Sequence, residues 1–198
     1  MPDNNTQVPA ARVPIWDKVT DYVTREWYRW FYNVYVSLEN GRRYGSFYDT
    51  TTQTPAVINT GYPITLNSVG NKVNDGPMTY GVYIGAPTSR VYVDISANYN
   101  IQFSLQLTSS SAAAKNITIW LRVDGIDVPS SATVITITGN NVNTVAAWNF
   151  VINLTANNYF ELVWSADSTN VSIKSSAATA YAPAIPGVIL TVTSLVGG

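Results

Sequence analysis

Few residues in this chain could do chemistry. Glu161 with Asp167 or Asp94 could in principle supply the two carboxylates of a glycosidase, which must stand about 5 to 10 Å apart. Period-2 alternation over 159–164 sends Glu161 to the face opposite Phe160 and Leu162, so it is expected to be exposed or at a subunit contact. Asp124-Gly125-Ile126-Asp127 offers two carboxylates close together. Calcium needs about six or more oxygens, and the EF-hand spacing is absent. Asp-Gly between two apolar runs is instead a type I′ turn. Trp120, Trp148 and Trp164 could stack on sugars, although a core position is expected for each; a surface-polysaccharide site stays open.

What is missing excludes more. There is no His and no Cys, which removes the commonest general base, the commonest metal ligand, thiolate nucleophiles and disulfides. No Gly-rich phosphate loop occurs. No catalytic, cofactor-binding or metal-ligating residue is therefore assigned, and the chain is expected not to be an enzyme and to need no cofactor.

The elements that would position any site come next. The chain has 198 residues, 46% hydrophobic and 12% aromatic, enough for one β domain plus a smaller appended segment. Charged residues make up only 12%, about half the usual share, which points to a surface covered by a partner or a sister chain. The net charge of −1 gives no basic field for nucleic acid. No run approaches the ~18 apolar residues of a membrane span, and MPDNNTQVPAARVP has no apolar core of a secretory signal.

Charge is concentrated at the start: Asp3, Arg12, Asp17, Lys18, Asp21, Arg25, Glu26, Arg29, Glu39, Arg42 and Arg43 precede Tyr44. The shift places a boundary near Gly41 to Gly45, dividing an attachment and oligomerisation segment, 1–44, from a β domain, 45–198. Residues 1–14, with Pro2, Pro9 and Pro14, read as an extended arm without its own core. A helix follows, capped by Thr20 or Thr24 and stopped at Asn40-Gly41. Trp27, Trp30, Phe31, Val34, Tyr35 and Leu38 fall on one helical face, interleaved with Arg25, Glu26 and Arg29. Such a stripe must be buried, either on its own β domain or in a trimer bundle or socket on a larger assembly. The interface reading is favoured, because Trp, Tyr and Arg are enriched as anchors there.

From Tyr44 the period changes to 2. About ten strands are expected, near 45–53, 62–67, 80–84, 90–96, 99–108, 117–123, 133–138, 145–154, 159–166 and 186–195, with a weaker one at 170–174. Turn signals at Asn74-Asp75-Gly76-Pro77, Asp124-Gly125, Gly139-Asn140-Asn141 and Ala156-Asn157-Asn158 separate them. The fold class is mainly β, an antiparallel sandwich preceded by an arm and one amphipathic helix.

The order of motifs carries a resemblance. Thr88-Ser89-Arg90 leads into a strand; Asn98-Tyr99-Asn100-Ile101-Gln102-Phe103-Ser104 follows; then come the hairpin Ile119 to Val128, the Phe150–Leu154 strand, Tyr159-Phe160-Glu161-Leu162-Val163-Trp164 and Gly187 to Val192. This progression resembles the jelly roll of tumour-necrosis-factor and complement-type globular heads. It is still more similar to the versions in phage structural proteins, where YGSFYDTTTQT (Tyr44 to Thr54) opens the domain and REWYRWFYN (Arg25–Asn33) resembles a leader helix. One departure is Asn157-Asn158 where the family turn reads Gly-Asp; Asn tolerates positive φ, so the turn survives. The resemblance implies a homotrimer in which Tyr48, Tyr80, Tyr83, Tyr99 and Tyr159 make trimer contacts. The residues agree in kind, since Tyr48, Tyr80, Tyr83, Tyr92, Tyr99, Tyr159 and Trp164 are many aromatics for one small core; the alternative is tyrosines reaching out from the sandwich surface.

The expectation is a non-enzymatic phage virion structural protein, assembled in the host cytoplasm and located on the particle. Its N-terminal segment would bind other virion proteins (capsid, portal, tail or fibre components), with Trp27, Trp30, Phe31, Val34, Tyr35, Leu38, Arg25 and Arg29 in contact. The head would serve as capsid decoration, head fibre, adaptor or tail-fibre knob. The alternative is a receptor-binding knob for a host surface glycan or protein; neither nucleic acid nor membrane is an expected partner. On a phage protein the Asn-x-Ser/Thr sites at Asn4, Asn116, Asn153 and Asn170 carry no weight.

Overall fold

The computed structural model describes residues 8–39, 42–71 and 76–195, with helix side chains described through Tyr35. The chain divides into two compact units, 1–41 and 42–198.

In the first unit the described part of the N-terminal arm is not extended. Val13 N donates to the Ala10 carbonyl at 2.8 Å, closing a turn. A hairpin follows, β1 (Trp16–Asp17) against β2 (Tyr22–Val23), which composition alone did not predict. Asp17 Oδ1 accepts from Val19 N at 2.9 Å, and that bond holds its carboxyl below the usual range. Helix α1 (Arg25–Glu39) starts directly after Thr24, whose carbonyl takes the first helical bond from Tyr28 N at 2.9 Å. The Thr24 hydroxyl donates to the Pro14 carbonyl at 2.7 Å, and the Trp27 indole N–H to the Val13 carbonyl at 2.9 Å. Those two bonds fold residues 13–15 back on the helix start. Where it is described, the arm expected to be extended is instead turned, with the Val13 and Pro14 carbonyls taken by donors at the helix start.

The second unit follows the period-2 pattern. Its strands are β3 (Tyr44–Asp49), β4 (Tyr62–Pro63), β5 (Ser68–Val69), β6 (Thr79–Tyr80), β7 (Val82–Ile84) and β8 (Val91–Val93). The long central strands are β9 (Ala97–Ser109) and β10 (Lys115–Val123). Then come β11 (Ile126–Asp127), β12 (Thr133–Ile137), β13 (Val142–Leu154), β14 (Tyr159–Ala166), β15 (Val171–Ile173) and β16 (Val188–Ser194). Two antiparallel sheets result. One runs β13-β9-β16-β3-β5, with β15 on β9 and β6 on β3; the other runs β11-β10-β14-β8-β7, with β12 on β10 and β4 on β14.

Four nested pairs define the topology: β3 with β16, β8 with β14, β9 with β13, and β10 with β12. Those eight strands pair first with last, second with seventh, third with sixth and fourth with fifth. That is one long hairpin rolled into a sandwich, a jelly roll. Rolling is driven by burying one face of each strand: Phe47, Ile101, Leu105, Ile119, Phe160 and Trp164 all lie between the sheets.

The turns obey their residue types. Asp124 (φ 47°) and Gly125 (φ 82°) join Val123 to Ile126 as the predicted type I′ turn. Asn157 takes φ 68°, as its type permits. The Asn40-Gly41 stop and the Asn74-Asp75 turn lie outside the described residues.

Two expectations are corrected by burial. Tyr99 is fully buried and its hydroxyl donates to the Ile95 carbonyl at 3.0 Å, so its side chain belongs to the core and cannot be a surface trimer contact. Burial, with Asp94 nearby, pushes its phenol up to about 12. Glu161 is also buried rather than exposed, although alternation does put it opposite Phe160 and Leu162.

Candidate functional site

The two sheets differ in what their outward faces carry. On the first sheet β9 sends out Asn98, Asn100, Gln102, Ser104, Gln106 and Thr108, while its alternate residues enter the core. β13 sends out Asn143, Val145, Ala147, Asn149, Val151 and Asn153. β16 adds Ile189, Thr191 and Thr193, and β3 adds Tyr44, Ser46 and Tyr48. Register lines these into rows across the sheet. One row runs Ala147, Ser104, Ile189, Tyr48; another runs Val151, Asn100, Thr193, Tyr44 and on to Tyr80 of β6. No outward position on these four strands carries a charge.

That absence has an energetic meaning. A charged side chain moved out of water costs several kcal/mol unless paired, whereas amides and hydroxyls that bond one another cost little to cover. Here the amides already pair across strands: Asn149 Nδ2 donates to Asn100 Oδ1, and Asn153 Nδ2 to Asn98 Oδ1, each at 3.1 Å. Between them stand exposed Val145, Val151 and Ile189. Covering this face would strip water from no ion.

The outward face of the second sheet is different. Its middle is covered by its own chain: Gly61 lies over Trp120 and Val163, so close that a Cβ there would stand 3.0 Å from the indole. Trp120 is thus half-buried beneath residue 61, with its N–H given to Asp127 Oδ1 at 2.8 Å. Arg122 Nε donates to the same oxygen at 2.8 Å, and these two bonds hold the Asp127 carboxyl below its usual range, Arg122 contributing most. Across β7, β8 and β14, Tyr83 stacks on Tyr92 with centroids 5.5 Å apart, Tyr92 meets Tyr159 at a tilt with centroids 5.4 Å apart, and the Arg90 guanidinium sits 4.4 Å from the Tyr159 ring.

The carboxylates weighed for glycoside chemistry are committed to separate partners. Glu161 Oε1 accepts from Ser89 Oγ at 2.7 Å, with Arg90 Nε 3.8 Å away. Asp94 takes both carboxylate oxygens to Arg43 Nε, at 2.8 and 3.0 Å. Asp167 accepts from Asn116 N at 3.0 Å. Asp124 is spent on its neighbour turn, accepting from Tyr159 N at 3.0 Å and from the Asn158 amide. Trp164 is core, and Trp148 is half-buried against Phe103, with ring centroids 4.5 Å apart.

The five tyrosines expected at trimer contacts lie in three places within the single chain. Tyr48 and Tyr80 lie on the uncharged face, Tyr83 and Tyr159 on the opposite sheet, and Tyr99 inside. On α1, Trp27, Trp30 and Phe31 cluster, with centroids 5.2 to 5.9 Å apart. Tyr28, Phe31, Tyr32 and Tyr35 are exposed, while Val34 is half-buried. Arg25 and Arg29 are exposed, and the Leu38 side chain lies outside the described residues. Reading the helical stripe missed Tyr28 and Tyr32, which its own spacing rule would have found one position round the helix. The uncharged face was missed because its rows exist only after strand pairing.

Fold and face together define a jelly-roll sandwich in which β13, β9, β16 and β3 send no charged side chain outward. No protein-family model matches the chain, and no curated protein matches it. Among solved structures, murine APRIL at pH 8.5 and at pH 5.0 aligns over 78% of this chain and 100% of its own, at 9% identity, with TM-scores of 0.47 and 0.49. Both scores are below 0.5, and the jelly-roll assignment rests on the four nested strand pairs of the chain itself.

Proposed function

We propose that this chain is a non-enzymatic structural subunit of a phage particle. Its heads form a homotrimer through the uncharged face of the first sheet. Its N-terminal segment, 1–44, attaches the trimer to other virion proteins through the aromatic side of α1. The observation that carries the reading is the charge-free face on β13, β9, β16 and β3, which a second copy can cover without stripping water from an ion. The exposed aromatics Tyr28, Phe31, Tyr32 and Tyr35 support the attachment role, since each buried aromatic supplies a large apolar area at roughly 25 cal/mol per Å² and three copies act together. The phage setting is supported by the resemblance of Tyr44–Thr54 and Arg25–Asn33 to phage structural proteins.

Deletion of residues 1–40 tests the division of labour. The head is expected to remain folded and self-associated while no longer entering particles, measured by particle purification and immunoblotting. Normal incorporation of the deleted protein would remove the anchor role, and binding of the isolated head to host cells in place of particles would favour the receptor-binding knob.

A further inference from the structure

An open pocket of about 420 Å³ borders the uncharged face, lined by Tyr48, Thr50, Pro183, Ala184, Pro186 and Ile189. Tyr48 and Ile189 stand opposite each other in register on β3 and β16, so the pocket is continuous with that face. None of its lining residues is charged.

The same segment that walls the pocket also displays a bare aromatic. Tyr181 is 91% exposed. It does not stand on a slack loop. Ser176 and Ile185 exchange backbone hydrogen bonds in both directions at 2.9 Å, and Thr179 N donates to the Ala182 carbonyl at 2.9 Å. Ala182 N donates to Thr179 Oγ1 at 3.1 Å. Residues 176–185 therefore form a small hairpin with Tyr181 at its tip. An ordered backbone that holds a large aromatic in water lowers the entropy lost when that ring is seated.

We propose that Tyr181 of one copy seats in the Tyr48–Pro183–Pro186–Ile189 pocket of a neighbouring copy. This rests on the reading of the uncharged face as the self-association surface. Knob and socket belong to neighbouring parts of one segment, so each copy in a symmetric assembly offers both to its neighbours. The chemistry fits a second copy of this chain: an uncharged aromatic ring enters an uncharged wall of prolines, isoleucine and tyrosine, and the tyrosine hydroxyl can stay at the wet mouth.

The test uses the full chain carrying a benzophenone amino acid at position 181. Irradiation is expected to cross-link it to the 183–189 segment of a second copy, mapped by mass spectrometry with isotopically mixed protein. In parallel, Tyr181→Ala is expected to weaken self-association at least about tenfold in sedimentation while Tyr181→Phe holds it, as for a central aromatic anchor. Cross-links that map elsewhere, or Tyr181→Ala associating as tightly as the native chain, would overturn the pocket assignment. If Val151→Lys disrupts association and Tyr181→Ala does not, the face stands and the knob falls; if the native chain is monomeric, both fall.

Discussion

Placing one charge on the uncharged face should take the oligomer apart. Val151 points outward from β13 in the row that reaches Tyr44, and 62% of it is exposed in the single chain. Full burial of a valine is worth about 1.5–3 kcal/mol, so covering the remaining area contributes roughly 1–2 kcal/mol per copy. Val151→Lys forfeits that term and adds an ammonium with no partner on the face. Its desolvation costs several kcal/mol if held in place, and less where the long side chain reaches the rim. A loss of about 3 kcal/mol per copy follows, on the order of a hundredfold in affinity. The single chain should be indifferent, because an exposed strand position tolerates Lys within ~0.5 kcal/mol. Val134 is the matched control: it is 60% exposed and points outward from β12 on the other sheet. Sedimentation velocity across the micromolar range, beside urea melts of each variant, reads both quantities. Dissociation by Val151→Lys with Val134→Lys unaffected is the expected pattern. Equal effects of the two, or a native chain that sediments as a monomer throughout, would refute the assignment of the face.

Other outcomes follow from the core and its rim. Arg43→Ala removes two charge-assisted bonds to Asp94 and a guanidinium 4.7 Å from the Tyr80 ring, and should cost about 2–3 kcal/mol in urea denaturation; a loss under ~0.5 kcal/mol would show that the network adds nothing net. Gly81→Ala should destabilise by more than ~1 kcal/mol, since Gly81 has φ 68° and its Cβ would run into Arg43 and Asp94; the penalty should shrink in an Arg43→Ala background, read as a double-mutant cycle. Tyr99 favours its neutral form in the fold, with a value of about 12 against 10 unfolded. Its contribution is complete below pH 10 and lost as pH rises towards 12, because there the unfolded chain has already released the proton. Stability measured from pH 9 to 12 should fall more steeply for the native chain than for Tyr99→Phe; parallel profiles would contradict this.

Much of the architecture was legible in the residues. Alternation alone located the strands at 97–109, 115–123, 142–154 and 159–166 to within a few positions, because each buries one face and so repeats every second residue. The type I′ turn at Asp124-Gly125 was legible for an equally local reason, and of the two expected caps, Thr20 and Thr24, the helix begins directly after the second, although the Thr24 hydroxyl donates to the Pro14 carbonyl. The short pieces β1, β2 and β5 were not legible, since two residues carry no period. Glu161 and Tyr99 show the other limit. Alternation placed Glu161 opposite Phe160 and Leu162, yet Glu161 is covered by Ser89, distant in sequence; Tyr99, expected at a trimer contact, has its phenol on the Ile95 carbonyl inside the core.

By itself the sequence determined where the β pattern begins, the alternation of the long strands, and that neither imidazole nor thiol chemistry is available. All of these are properties of one residue type or one short window. Only the tertiary structure decided which outward faces became neighbours. The charge-free surface is assembled from strands far apart in the chain, β3 near its start and β16 near its end, joined through β9 and β13. Their juxtaposition depends on backbone pairing across the rolled hairpin, and hydrogen bonds between main chains carry no trace in the side-chain sequence of which partner they will take.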